Sequence, residues 1–261
     1  MIPDDVKEEI LRRLKRAEDE HNVRILMAIE SGSRAWGFAS PNSDYDVRFI
    51  YAHKPDWYLA VDLEERRDVI EYPITDDIDL NGWDLRKALR LFWKSNPAFV
   101  EWIQSPIDYI NRGSFKADAF GALPTIYAVD RGIHHYRSMA KTNYRGYLRA
   151  EQVPLKKYFY ALRPLLAVRW LEAFGKPAPI EFHRLLEMIA DRQLLLSDIN
   201  RLLDMKRAAP EMGLSSPVSS INEFIESELL RLESIRPPKI HEPSRAETLN
   251  VLFHKALGQE S

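Results

Sequence analysis

The apolar pattern of this chain changes character once, near residues 110–125, and that change constrains the fold more than any other feature. Before it, short apolar runs are framed by helical periodicity. Val23 to Ile29 reads as a buried strand, and Tyr45 to Tyr51 as a second, rich in aromatic and β-branched residues. Asp68–Thr75 and Asp77–Trp83 read as two more strands around a turn at Asp76, with Pro73 pushing the first towards an edge. Residues 4–21 repeat Ile10, Leu11, Leu14 and Ala17 at helical spacing. A second helix is expected from Asp84, whose carboxylate suits an N-cap ahead of Leu85, Ala88, Leu89 and Phe92. Residues 104–125 read as a partly helical connection. Beyond them the segments 130–150, 155–174, 181–190, 197–208 and 221–234 are all helix-like, divided by proline- and glycine-bearing breaks. Arg236-Pro237-Pro238 is a stop. The amphipathic stretch 245–257 after it is expected to pack back on its own chain, since an isolated short helix is marginal. The expectation is an α+β chain with a small mixed sheet followed by helices, divided at 1–110, 111–235 and a C-terminal tail 236–261.

Composition enters mainly through what it excludes. There is no cysteine, which removes disulfide scaffolds, thiolate metal sites and cysteine nucleophiles. The net charge of −2 makes the whole chain no magnet for nucleic acid, so any anion site must come from local clustering. No signal peptide and no apolar run of membrane-spanning length is visible, and a cytoplasmic protein with no membrane partner is expected.

The chemistry concentrates in residues 30–48. Gly32-Ser33 closes the first strand in a tight turn, where backbone N–H groups and a hydroxyl can face an anion. Ten residues later Asp44 and Asp46 open the second strand. Strand alternation puts both carboxylates on one face, and a hard divalent cation relieves their repulsion. A phosphate loop beside a carboxylate pair is the minimum kit for phosphoryl or nucleotidyl transfer.

The Gly-Ser turn, the spacing and the Asp-x-Asp pair resemble the signature of the DNA polymerase beta nucleotidyltransferase superfamily. Gly32-Ser33-Arg34-Ala35-Trp36-Gly37, Ser43-Asp44-Tyr45-Asp46-Val47-Arg48, Gly82-Trp83-Asp84-Leu85-Arg86-Lys87, Asn96-Pro97 and Glu101-Trp102 are similar to a bacterial and phage branch linked to RNA repair. Residues 158–167 are similar to its second-domain motif. The resemblance implies a catalytic domain over 1–110, a helical substrate- and nucleotide-binding domain over 111–235, and an active site between them. It also implies a third carboxylate on a neighbouring strand. Asp76 and Asp77 suit a turn and Asp84 a helix cap. Asp79, flanked by Ile78 and Leu80, points away from two core residues and is chosen. Asp44, Asp46 and Asp79 would then be catalytic and would hold two Mg²⁺ or Mn²⁺ ions, with an NTP as substrate. Gly32, Ser33 and Arg34 would contact its phosphates, with Trp36 and Phe38 packing the loop.

Between residues 131 and 170 nine cations face a single acid, Glu151, and tyrosines are interleaved. Arg137, Lys141, Arg145 and Arg149 recur every four residues, a stripe suited to a triphosphate or to single-stranded RNA. Lys141, Tyr144, Lys157, Tyr160 and Arg163 are the expected nucleotide contacts from this half, and the family resemblance implies Lys157 at phosphate and Tyr160 near the base. The function expected is transfer of an NMP to a hydroxyl acceptor, with RNA as the partner. Nucleotidylation of a protein or small molecule, and a non-catalytic nucleotide-binding module, are the alternatives.

Overall fold

The computed structural model describes residues 2–208, 213–235 and 243–258. Helix α1 (Asp4–His21) carries Asp4 and Asp5 in its first turn, where carboxylates offset unpaired N–H groups, and stops on Asn22 in the left-handed conformation. Its buried Ile10, Leu14 and Ala17 cover one face of a five-stranded sheet. The strands are β1 (Arg24–Glu30), β2 (Tyr45–Ala52), β3 (Val69–Glu71), β4 (Ile78–Asp84) and β5 (Asp108–Asn111), in the order β3-β4-β2-β1-β5. β2 and β4 are parallel and the other pairs antiparallel, so the sheet is mixed, as expected.

A single turn, α2 (Gly32–Ala35), joins β1 towards β2, and α3 (Pro55–Tyr58) follows β2. β3 keeps three residues of the longer run expected, because Pro73 and the positive φ angles of Asp76 and Asp77 turn the chain. Helices α4 (Leu85–Trp93) and α5 (Pro97–Gln104) come next. The carboxylate of Asp84 caps α4 by accepting from the Arg86 N–H at 2.8 Å, and its other oxygen accepts from the Tyr58 hydroxyl at 2.8 Å. The partly helical connection expected over 104–125 does contain helix, over 115–121 and 123–126, and it also contains β5. Four residues are too few to show a strand period, and pairing with β1 is what makes them one.

The helical half comprises α6 (Phe115–Gly121), α7 (Leu123–Ile126), α8 (Val129–Tyr147), α9 (Leu155–Phe174), α10 (Phe182–Leu185), α11 (Gln193–Ala208), α12 (Ser219–Arg231) and α13 (Pro243–Ala256). The helix expected over 181–190 is α10 followed by a 3₁₀ turn. Among the described residues the β structure in this half is one short ladder, Val153–Pro154 against Leu214–Ser215. α9 is buried on nearly all sides, which is why its sequence shows so little helical amphipathicity. One apolar core runs from Leu26 and Met27 of β1 through α4 and α5 into α8, α9 and α12, so the helical half covers the second face of the sheet. α13 packs back through Leu249 and Leu252, with the Phe253 ring 4.9 Å from Tyr58 and Lys255 paired to Asp118. Arg236-Pro237-Pro238 lies outside the described residues. Among the described residues no helix is long and apolar enough to cross a membrane.

His53, just after β2, stacks on Trp57 at 3.7 Å, and Arg66 covers the other side of that indole. Burial, helped by Arg66, lowers its pKa to about 4. Between about 6.5 and 4 the unfolded chain therefore binds a proton at His53 that the folded chain refuses, so this residue's contribution to stability falls with acidification through that window. The expected loss is on the order of 1–2 kcal/mol after solvent screening. Urea titrations at pH 7 and pH 4.5 check it, and a His53→Phe variant with the same pH slope would remove His53 as the cause.

Candidate active site

Gly32 is where backbone chemistry decides the site. It has a φ of +58°, and a Cβ there would lie 2.0 Å from the Asp46 carboxylate. Only glycine permits both the left-handed turn and that close approach. The chain leaves β1, and the Ser31 N–H donates to the Asp46 carbonyl at 2.8 Å, which locks the turn to the start of β2. The turn then winds as α2, with Trp36 and Phe38 N–H groups donating back to Gly32 and Ser33 carbonyls.

The register of β2 on β4 sets Asp46 directly beside Asp79, and Ile78 and Leu80 point into the core as their alternation with Asp79 requires. The two carboxylates converge on one positive point. The Arg48 Nη2 donates to Asp46 Oδ1 at 3.0 Å and to Asp79 Oδ2 at 2.7 Å, while its Nη1 donates to the Val47 and Asp79 carbonyls. Among the described residues no three carboxylates or imidazoles are gathered into a metal cage. The Asp46–Asp79 pair nevertheless fits a divalent cation. Both residues offer hard oxygen donors, they already share one cation, and the missing Cβ of Gly32 makes room for the Asp46 carboxylate beside the turn. Asp44 lies two residues ahead of Asp46, at the mouth of β2.

Arg34 is committed to the loop. It donates to the Ser43 and Asp44 carbonyls at 2.6 and 3.3 Å and lies 4.0 Å over the Tyr45 ring. Phe38 is buried against Phe159 and Phe182, and so packs the loop as expected. Trp36 meets Tyr160 of α9 edge-on at 5.4 Å, and Lys157 sits 5.4 Å over the same tyrosine and 3.9 Å over Tyr147. A chain of aromatic contacts thus joins Lys157 and Tyr160 to the Gly-Ser loop.

The other helical candidates lie elsewhere. Arg163 is not on a nucleotide-facing surface. It is 2% exposed, paired with Glu101 at 2.7 Å and seated 4.6 Å under Trp36. Glu101 also accepts from the Trp36 indole and the Tyr136 hydroxyl, so the pair is a buried tie between the loop, α5, α8 and α9. Tyr144 is buried and donates to Glu226 of α12. Lys141 lines a groove of about 190 Å³ with Arg137, Arg145, Arg149, Glu226 and Glu233. The stripe that lacks acidic neighbours in sequence shares this groove with two acids some eighty residues downstream, Glu226 on α12 and Glu233 just past its end.

Three residues of the site carry no role in a reading of the sequence alone. Glu30, at the end of β1, is fully buried. It accepts from the Asp46 N–H at 3.1 Å and from the Tyr109 hydroxyl at 2.6 Å, and burial raises its pKa to about 7. Arg48 bridges the carboxylates. Lys206 of α11, itself buried, reaches Ser43 Oγ at 3.4 Å, one residue before Asp44. An acid beside Ser31-Gly32-Ser33 and an arginine two after Asp46 were visible signals for the first two. No local signal points to Lys206.

The sequence matches the RNA repair pathway DNA polymerase beta family over residues 6–255. It is 41% identical over 249 residues to the uncharacterized protein YcgL of Bacillus subtilis (strain 168), covering 95% of each chain. A nucleotidyltransferase-like protein from Exiguobacterium sibiricum 255-15 aligns over 95% of this chain and 89% of its own, at 13% identity and a TM-score of 0.35, too low to establish kinship. The family match spans both the carboxylate-bearing sheet and the helices that cover it, and on that ground the chain belongs to the RNA repair pathway DNA polymerase beta family, as a nucleotidyltransferase of the DNA polymerase beta type.

Proposed function

We propose that the protein transfers an NMP from an NTP to a hydroxyl of RNA, in the cytoplasm. The observation that carries this reading is the convergence of Asp46 and Asp79 on one cation beside a turn that only glycine permits. Asp44, Asp46 and Asp79 would hold the divalent ions. Bound there, Mg²⁺ or Mn²⁺ neutralises the triphosphate and lowers the pKa of the attacking hydroxyl. The acceptor oxygen attacks the α-phosphorus in line, the new P–O bond forms, and the bond to pyrophosphate breaks. Gly32 and Ser33 offer the turn to the β- and γ-phosphates, and Lys157 and Tyr160 reach the site from the helical side. Glu30 and Tyr109 hold the start of β2, and with it Asp46, in register. The test incubates the protein with each labelled NTP, Mg²⁺ or Mn²⁺, and total RNA or cell lysate. Label in RNA supports the reading, label in protein or a small molecule moves the acceptor, and no label with any NTP removes catalysis.

The groove between α8 and α12 is the surface offered to RNA. Lys141→Glu with Arg145→Glu is expected to weaken RNA binding roughly tenfold or more at low salt and to flatten its salt dependence, since fewer counterions are released. Filter binding across a salt series checks this. Unchanged affinity and slope would leave the stripe as the basic wall of a groove that binds no RNA.

A further inference from the structure

Asp46 and Asp79 are register partners on adjacent parallel strands, so their Cα atoms are separated by a single strand spacing of about 4.8 Å. Two carboxylates held so close repel, and both are only about a quarter exposed, which weakens the screening water can provide. Arg48 answers that repulsion. It stands two residues after Asp46 on β2, hence on the same face, and its side chain is 18% exposed. One nitrogen serves both carboxylates, and the other is held by two backbone carbonyls.

We infer that Arg48 is the resident counter-ion of the Asp46–Asp79 pair, so that a divalent cation binds these carboxylates only by exchange with the guanidinium. The inference rests on the metal-binding role given to the pair above. The two cations repel each other and would compete for the same pair of carboxylates. Mg²⁺ requires oxygens at 2.0–2.1 Å, and the Arg48 nitrogen already holds one oxygen of each carboxylate, at 3.0 and 2.7 Å. The displaced guanidinium needs another anion, and the phosphates of an incoming NTP supply one next to the same strands. Arg48 thereby makes the site weak for metal alone and stronger for metal that arrives with a triphosphate. It is a positioning residue that couples the two ligands.

The experiment uses the full chain after chelator treatment. Free Mn²⁺ is followed by its electron paramagnetic resonance signal, with and without a non-hydrolysable NTP, in the wild type, Arg48→Met and Arg48→Met with Asp79→Asn. Melting temperatures are recorded in parallel. In Arg48→Met, Mn²⁺ affinity without nucleotide is expected to rise at least tenfold. Its melting temperature in chelator is expected to fall below the wild type and to recover on adding Mn²⁺. Nucleotide should close most of the affinity gap, and adding Asp79→Asn should abolish the gain. Equal Mn²⁺ affinity of folded Arg48→Met and wild type, with Mn²⁺ binding seen in both, overturns the exchange while leaving the metal-binding reading standing. No Mn²⁺ binding by any form, even with nucleotide, overturns that reading and the inference with it. If Arg48→Met does not fold, Arg48→Lys decides. Its point charge lacks the guanidinium fork, so an affinity above wild type supports the exchange and an unchanged one overturns it.

Discussion

Asp79→Asn is expected to leave the fold and Mg²⁺-ATP binding in place and to lower turnover by several orders of magnitude. The side chain keeps its shape, Asp79 is partly exposed, and its partner Arg48 keeps Asp46 and two backbone carbonyls, so the core does not depend on the lost charge. Nucleotide retains Asp44, Asp46, Gly32 and Ser33. What is removed is the carboxylate placed for the ion that activates the acceptor hydroxyl. Asp44→Asn should behave differently, losing nucleotide binding and turnover together. Calorimetric titration of Mg²⁺-ATP beside a single-turnover rate assay separates the two outcomes. Near-normal turnover in Asp79→Asn would transfer the role elsewhere on the strand. The structure leaves little room for that, because Asp84 caps α4, and Asp76 and Asp77 form the turn ahead of β4. Near-normal turnover in Asp44→Asn would end the catalytic reading.

Arg163→Met is expected to destabilise the protein by roughly 3–5 kcal/mol, because it leaves the buried Glu101 carboxylate without its cation. Glu101 would keep the Trp36 indole and the Tyr136 hydroxyl, neither of which carries charge. The double variant Arg163→Met, Glu101→Gln should lose less than Arg163→Met alone, since no uncompensated charge then remains buried. Chemical denaturation of the three proteins measures this. A loss below about 1 kcal/mol in Arg163→Met, joined to a selective loss of nucleotide affinity, would return Arg163 to the binding surface. The same tie holds Trp36, so the single variant should also loosen the loop that carries Gly32 and Ser33.

Much of the fold was legible because it is written in local periodicity. α1, α4, α8, α9, α11 and α12 each appear as helical patterns within a few residues of their ends, and β1, β2 and β4 as apolar runs bounded by turn residues. Asp84 as a cap and Asp76–Asp77 as a turn follow from side-chain chemistry that acts over two or three residues. The pairing of β5 with β1 did not follow, because a four-residue strand exists only by virtue of its partner.

The same division runs through the candidate site. Gly32, Asp44, Asp46 and the facing of Asp79 away from Ile78 and Leu80 depend on backbone turn preference and strand alternation, and the amino-acid sequence alone determines both. The company these residues keep was decided by tertiary structure. Arg163 lies near the end of a basic segment, yet α5 brings it a carboxylate from 62 positions away and the core closes over the pair. The basic stripe comes to share a groove with Glu226 only when α12 folds beside α8, and Lys206 reaches Ser43 across 163 residues. Arg48 stands two residues from Asp46, but its role as a bridge needs Asp79, which arrives with the parallel register of β4. Charge pairing and burial are properties of surfaces that meet in space, and a linear pattern carries no information about which surfaces those will be.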